Sequence, residues 1–118
     1  MLRYNKYLKD VGIKKTDYPF SEFRKNISED SYLRIASWNL DWALALIIYS
    51  HLRAFKDNTI GFPAYMNSPE EWDKVLDEMI DGFAYYIQHH DDEEWKEADK
   101  KLKRSLSLIA EYYRDLWW

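Results

Sequence analysis

An all-α fold built on three main helices is the reading that three features of the amino-acid sequence support together. Apolar residues recur every three to four positions over residues 37–56, 69–90 and 92–117. A helix start is written out in Ser68-Pro69-Glu70-Glu71. The chain of 118 residues contains 3 Gly and 3 Pro, too few for a turn-rich β protein. The expected architecture is a central buried helix beside an antiparallel C-terminal helical hairpin, preceded by a short irregular or helical N-terminal segment. One domain, residues 1–118, is expected to hold all of it.

The least regular stretch is residues 1–30, where Tyr4, Tyr7, Leu8, Val11, Ile13, Tyr18, Phe20 and Phe23 recur among Lys and Asp. That pattern predicts one or two short helical turns packed on the body, with Pro19 marking a bend or a helix start. The first long helix is expected from Ser37 or Asn39 to Lys56, ending before Asp57-Asn58-Thr59 and Gly61-Phe62-Pro63. At about 100° per residue, Leu40, Ala43, Leu44, Ile47, Ile48, His51 and Phe55 share one face. Trp42, Ala45, Leu46 and Tyr49 cover much of the other side, and only Asn39, Ser50 and Arg53 make a polar strip. This helix is therefore expected at the centre, buried on most sides.

In the second helix Ser68 serves as N-cap, Pro69 takes the first helical position, and Glu71 completes a capping box. Trp72, Val75, Leu76, Met79, Ile80, Phe83, Tyr86 and Ile87 then form one apolar stripe. The run His89-His90-Asp91-Asp92 is expected to hold a turn, histidine suiting a helix C-terminus and aspartate the next N-terminus. The third helix repeats the pattern with Trp95, Ala98, Leu102, Leu106, Ile109, Tyr113, Leu116 and Trp117. Two facing stripes joined by a short connection imply the hairpin.

Composition narrows the functions available. With no cysteine there is no disulfide framework, thiolate zinc site or cysteine nucleophile, and a reducing compartment is expected. Residues Met1-Leu2-Arg3-Tyr4-Asn5-Lys6 lack the apolar core of a signal peptide, and no apolar run approaches the ~20 residues of a bilayer span. The net charge of −4 is unevenly spread. Residues 1–25 carry seven Lys/Arg against three acids, and residues 69–100 carry three Lys against twelve acids. Such an acidic flank suits either solubility or a basic protein partner; direct nucleic-acid binding is not expected.

Candidate site residues follow from chemistry out of place. Asn39 and Asp41 open an otherwise apolar helix, where free backbone N–H groups and two polar side chains can recognise a ligand. They can equally serve as a cap and an ion pair with Arg34 or Arg53. Arg53 shares both readings. Asp73, Asp77 and Asp81, extended by Glu70 and Glu78, make a negative stripe one helical turn apart, either a solvated face or a docking surface. His51 falls on an apolar face and is read as a hydrogen-bonded core histidine rather than a general base. The His89–Glu94 run lacks metal-ligand spacing, and neither a phosphate loop nor a nucleophile elbow occurs; no metal, cofactor or enzymatic activity is expected. Aromatic residues make up 18% of the chain, and Trp117-Trp118 at its end are candidate anchors for a partner or a homo-oligomer.

Several blocks also resemble a family. Ser37-Trp38-Asn39-Leu40-Asp41, an apolar helix with Arg53, Gly61-Phe62-Pro63, Glu71-Trp72, Met79-Ile80-Asp81-Gly82-Phe83 and Ala110-Glu111-Tyr112-Tyr113-Arg114-Asp115-Leu116-Trp117 are similar to small acidic proteins encoded by tailed bacteriophages and prophages. The resemblance spans residues 35–118. Members of that family often carry a more Arg-rich leader and a longer acidic insertion between the last two helices, where this chain has a Tyr/Lys leader and a compact turn. The resemblance implies a viral origin and the bacterial host cytosol, and it implies no catalytic residues. The expected function is a non-enzymatic binding protein that inhibits or sequesters a host defence component. A host protein is the expected partner before a small nucleotide ligand. The alternatives are an accessory or assembly protein acting by oligomerisation and a nucleotide-signal-sequestering protein.

Overall fold

The computed structural model describes residues 3–15 and 28–117. The expectations for Tyr18, Pro19, Phe20, Phe23 and Trp118 fall outside them. The chain first turns helical at Lys6–Asp10 (α1), where the Asn5 side chain accepts from the backbone N–H groups of Tyr7 and Leu8. Gly12 ends the turn in the left-handed region at φ +83°, and the N–H groups of Gly12 and Ile13 return to the carbonyls of Lys9 and Leu8. This is the hydrogen-bonded stop that glycine makes cheaply. Leu8 and Val11 are thereby turned inward and buried against the body.

Glu29–Ala36 form α2, and a three-residue turn through Asn39 leads into α3, Leu40–Asn58. Loop residues 60–67 follow. Ser68 then caps α4, Pro69–His89, by accepting from the Glu71 N–H at 3.3 Å, while the Glu71 carboxylate accepts from the Asn67 N–H at 2.6 Å. The capping box is therefore present, with its return bond displaced one residue upstream. Trp95–Tyr112 form α5, followed by a 3-10 turn at Tyr113–Asp115. The α4–α5 turn is tied by Asp92, which accepts from the Glu94 N–H at 2.8 Å and contacts His89 Nδ1 at 2.8 Å. The Glu94 N–H, and then His89, hold the Asp92 carboxyl below the usual carboxylate range. No strand occurs among the described residues.

The architecture is helical, with α3, α4 and α5 packed side by side and α1 laid on α3. A central helix and a C-terminal antiparallel hairpin are present, but the helix at the centre is α4 and not α3. Trp72, Leu76, Met79, Phe83, Tyr86 and Ile87 of α4 are all buried, whereas Leu40 and Leu44 of α3 are half exposed and His51 is exposed. The reason lies in how α5 docks. Gly82 of α4 faces Ser105 of α5 so closely that an added Cβ would sit 1.7 Å from Ser105 Oγ and 2.6 Å from the Lys101 carbonyl oxygen. Ser105 is fully buried and donates to the Glu78 carbonyl at 3.2 Å. Small residues let the α4 and α5 backbones approach, and α5 consequently packs on α4 without covering the second apolar side of α3.

The polar strip of α3 is also explained by packing. Ser50 is buried against Asn5, whose amide lies 3.4 Å from its hydroxyl, and Arg53 reaches Asp10 at 3.1 Å. The strip receives α1 instead of facing water.

Gly82→Ala is expected to lower the unfolding free energy by about 1–3 kcal/mol, the usual cost of overpacking, read as the midpoint of urea denaturation. Adding Ser105→Ala should restore only part of that loss, because the Lys101 carbonyl still obstructs the new methyl group.

Candidate functional site

At the N-terminal end of α3, Asn39 occupies the left-handed region with φ 55° and ψ 47°, and its side chain makes no capping hydrogen bond. Asn is among the few non-glycine residues that take this conformation readily. Asp41 accepts a hydrogen bond from the Tyr86 hydroxyl of α4 and does not pair with Arg34 or Arg53. Burial, and then the Asp41 carboxylate, push the Tyr86 phenol up to about 12. His90 stacks on Tyr86 with ring centroids 5.4 Å apart and meets Trp42 at 6.3 Å. Asp41 therefore joins the start of α3 to the end of α4.

Arg53 lies twelve residues beyond Asp41 on the same helix, about 18 Å away at 1.5 Å per residue. It donates to the Tyr49 hydroxyl at 2.6 Å and to Asp10 at 3.1 Å, and its guanidinium sits 4.8 Å from the Tyr7 ring centroid. Asn39, Asp41 and Arg53 do not converge on one site; Arg53 is engaged in holding α1.

The acidic stripe of α4 is partly answered from within. Asp77 pairs with Lys56 of α3, and that hydrogen bond holds the Lys56 ammonium above its usual range. Asp81 is pushed up first by loss of hydration and then by neighbouring Asp77, against the pull of Lys101 and Lys56. Asp73 remains exposed one turn earlier. Glu78 meets Arg104 at 3.0 Å. Among the described residues no three His, Asp or Glu side chains gather as metal ligands. Trp117 is 74% exposed, and Trp118 lies outside the described residues.

An open apolar groove of about 450 Å³ runs between α3 and α5, with Ile48, His51 and Phe55 on one wall and Ile109, Tyr113 and Leu116 on the other. Leu44 and Leu106, each 45% exposed, lie about one helical turn before Ile48 and Ile109 on the same two helices. His51 was expected in the core. It stands in water instead, because α5 leans on α4 and leaves that face of α3 uncovered. Its Nδ1 lies 2.8 Å from the Ile47 carbonyl oxygen, so in the neutral ring Nδ1 carries the proton and Nε2 is an acceptor.

No protein-family model, curated protein or solved structure matches this chain. Function is therefore argued from the chain's own geometry. Sequence reasoning assigned the groove residues to a closed core. The available signal was the apolar girth of α3, which exceeds what one neighbouring helix can bury.

Tyr86→Phe is expected to cost about 1 kcal/mol, the typical contribution of a partly buried hydrogen bond. The unfolded phenol titrates near 10 and the folded one near 12, so between those values the folded chain binds more protons and stability falls as pH rises. Thermal melts at pH 8 and pH 11 should show a shallower alkaline loss in Tyr86→Phe than in the native chain.

Proposed function

We propose that this is a non-enzymatic binding protein that acts by seating an apolar helix face of a partner protein in the α3–α5 groove. The observation that carries the reading is the groove itself. It is a continuous apolar surface, open to water, on the helices that flank α4. Exposed apolar patches of this kind on otherwise charged proteins mark sites of protein contact, and helix-in-groove docking reads them at intervals of three and four residues. His51 supplies one polar acceptor on the wall. Among the described residues no carboxylate orients it, so a hydrogen bond to the partner suits it better than proton transfer. The resemblance to small phage proteins supports a host component as that partner, with inhibition or sequestration in the bacterial cytosol as the outcome. The internal pairing of Asp77 favours the groove over the acidic stripe as the docking surface.

Leu44 and Leu106 are each 45% exposed, so charged replacements should lower folding stability by about 1 kcal/mol apiece, and capture is compared once circular dichroism shows the helices intact. The tagged native chain should therefore retain a defined host protein that a Leu44→Asp/Leu106→Asp variant loses by tenfold or more, while Asp73→Asn keeps it. Equal capture by the groove variant sinks the reading. A second reading, self-association, is favoured by the exposure of Trp117. Light scattering separates the two: a stable oligomer that Trp117→Ser dissociates selects assembly.

A further inference from the structure

A second concavity lies where the loop after α3 meets the end of the chain, and it shares no lining residue with the α3–α5 groove. Its volume of about 350 Å³ falls within the range of small-ligand sites. Trp72, 2% exposed, lines it from within, and Phe62 and Trp117, far more exposed, stand toward the open side. Aromatic faces carry the negative side of a quadrupole and attract cations. Asp115 adds a carboxylate. Its partner is the hydroxyl of Tyr65, an uncharged donor, and among the described residues no lysine or arginine forms an ion pair with it.

Thr59 also lines the cavity, with its hydroxyl sealed beneath the surface and without a hydrogen-bond partner. The lining includes no cationic side chain, and Asp115 and the aromatic faces repel an anion.

We propose that this cavity binds a small organic cation, a guanidinium or alkylammonium group, which donates to Asp115 and rests against Trp117 and Phe62. The site is independent of the partner groove. Bound there, the cation supplies the counter-charge that Asp115 lacks.

The test is a titration of the full chain with ethylguanidinium chloride and with ethylammonium chloride. Sodium chloride holds the ionic strength constant, and the readout is the indole N–H signals of Trp72 and Trp117. Saturable shifts of both signals are expected, with affinity at least tenfold weaker in Asp115→Asn, which keeps an acceptor for Tyr65. Trp117→Ala, at an exposed position, should weaken binding likewise and serves where Asp115→Asn disturbs the fold. The blocked peptide acetyl-Gly-Arg-Gly-amide carries the same guanidinium on a chain. Tighter saturation by the peptide assigns a side chain as the source, and tighter saturation by ethylguanidinium assigns a free ligand. Absence of saturable shifts with all three probes, or unchanged affinity in both variants, overturns the proposal.

Discussion

The close approach of α4 and α5 at Gly82 and Ser105 sets the arrangement of everything around it. With only a hydrogen atom on one side and a hydroxymethyl group on the other, the two backbones come together where any larger pair would hold them apart. Ser105 satisfies its buried hydroxyl on the Glu78 carbonyl, so the contact carries no unmet polar group. Once α5 is drawn onto α4, it cannot also lie across α3. A side-by-side layer with α4 in the middle results, and α3 keeps one apolar side without a covering helix. Both the groove and the exposed position of His51 descend from two small side chains.

Much of this fold was legible in the sequence. The Ser68-Pro69-Glu71 start, the stripe on α4 and the turn at His89–Asp92 are local signals, and local signals are what periodicity and capping report. The order of packing was not legible. A period of three to four residues says which side of a helix is apolar, and it does not say whether a neighbour covers that side. Gly82 was a mark in the sequence, a glycine inside a strong helical pattern, and it becomes informative only when paired with Ser105, 23 residues later.

The candidate residues divide in the same way. Asn39, Asp41 and Arg53 stood out because polar groups interrupt an apolar helix, and all three have particular roles. Their partners, Tyr86 for Asp41 and Asp10 for Arg53, lie more than forty residues away, beyond any local rule. Of the polar strip of α3, Ser50 and Arg53 form the seat of α1, where Ser50 meets Asn5 and Arg53 meets Asp10. The acids of α4 looked like one continuous negative surface. Lys56 reaches across from α3 to Asp77 and divides it, so part of that charge is answered within the molecule.

Among the described residues, three phenols tie distant parts of the chain to carboxylates: Tyr7 to Asp57, Tyr65 to Asp115 and Tyr86 to Asp41. Each spans 45 or 50 residues, so they act as long stitches where a small protein without disulfides has few others. A phenol carries no charge for dissolved ions to screen, unlike the ammonium and guanidinium groups of ordinary surface pairs. These stitches should therefore hold in brine, where attractions between unlike charges fade, and the molecule would keep its shape as the salt concentration climbs.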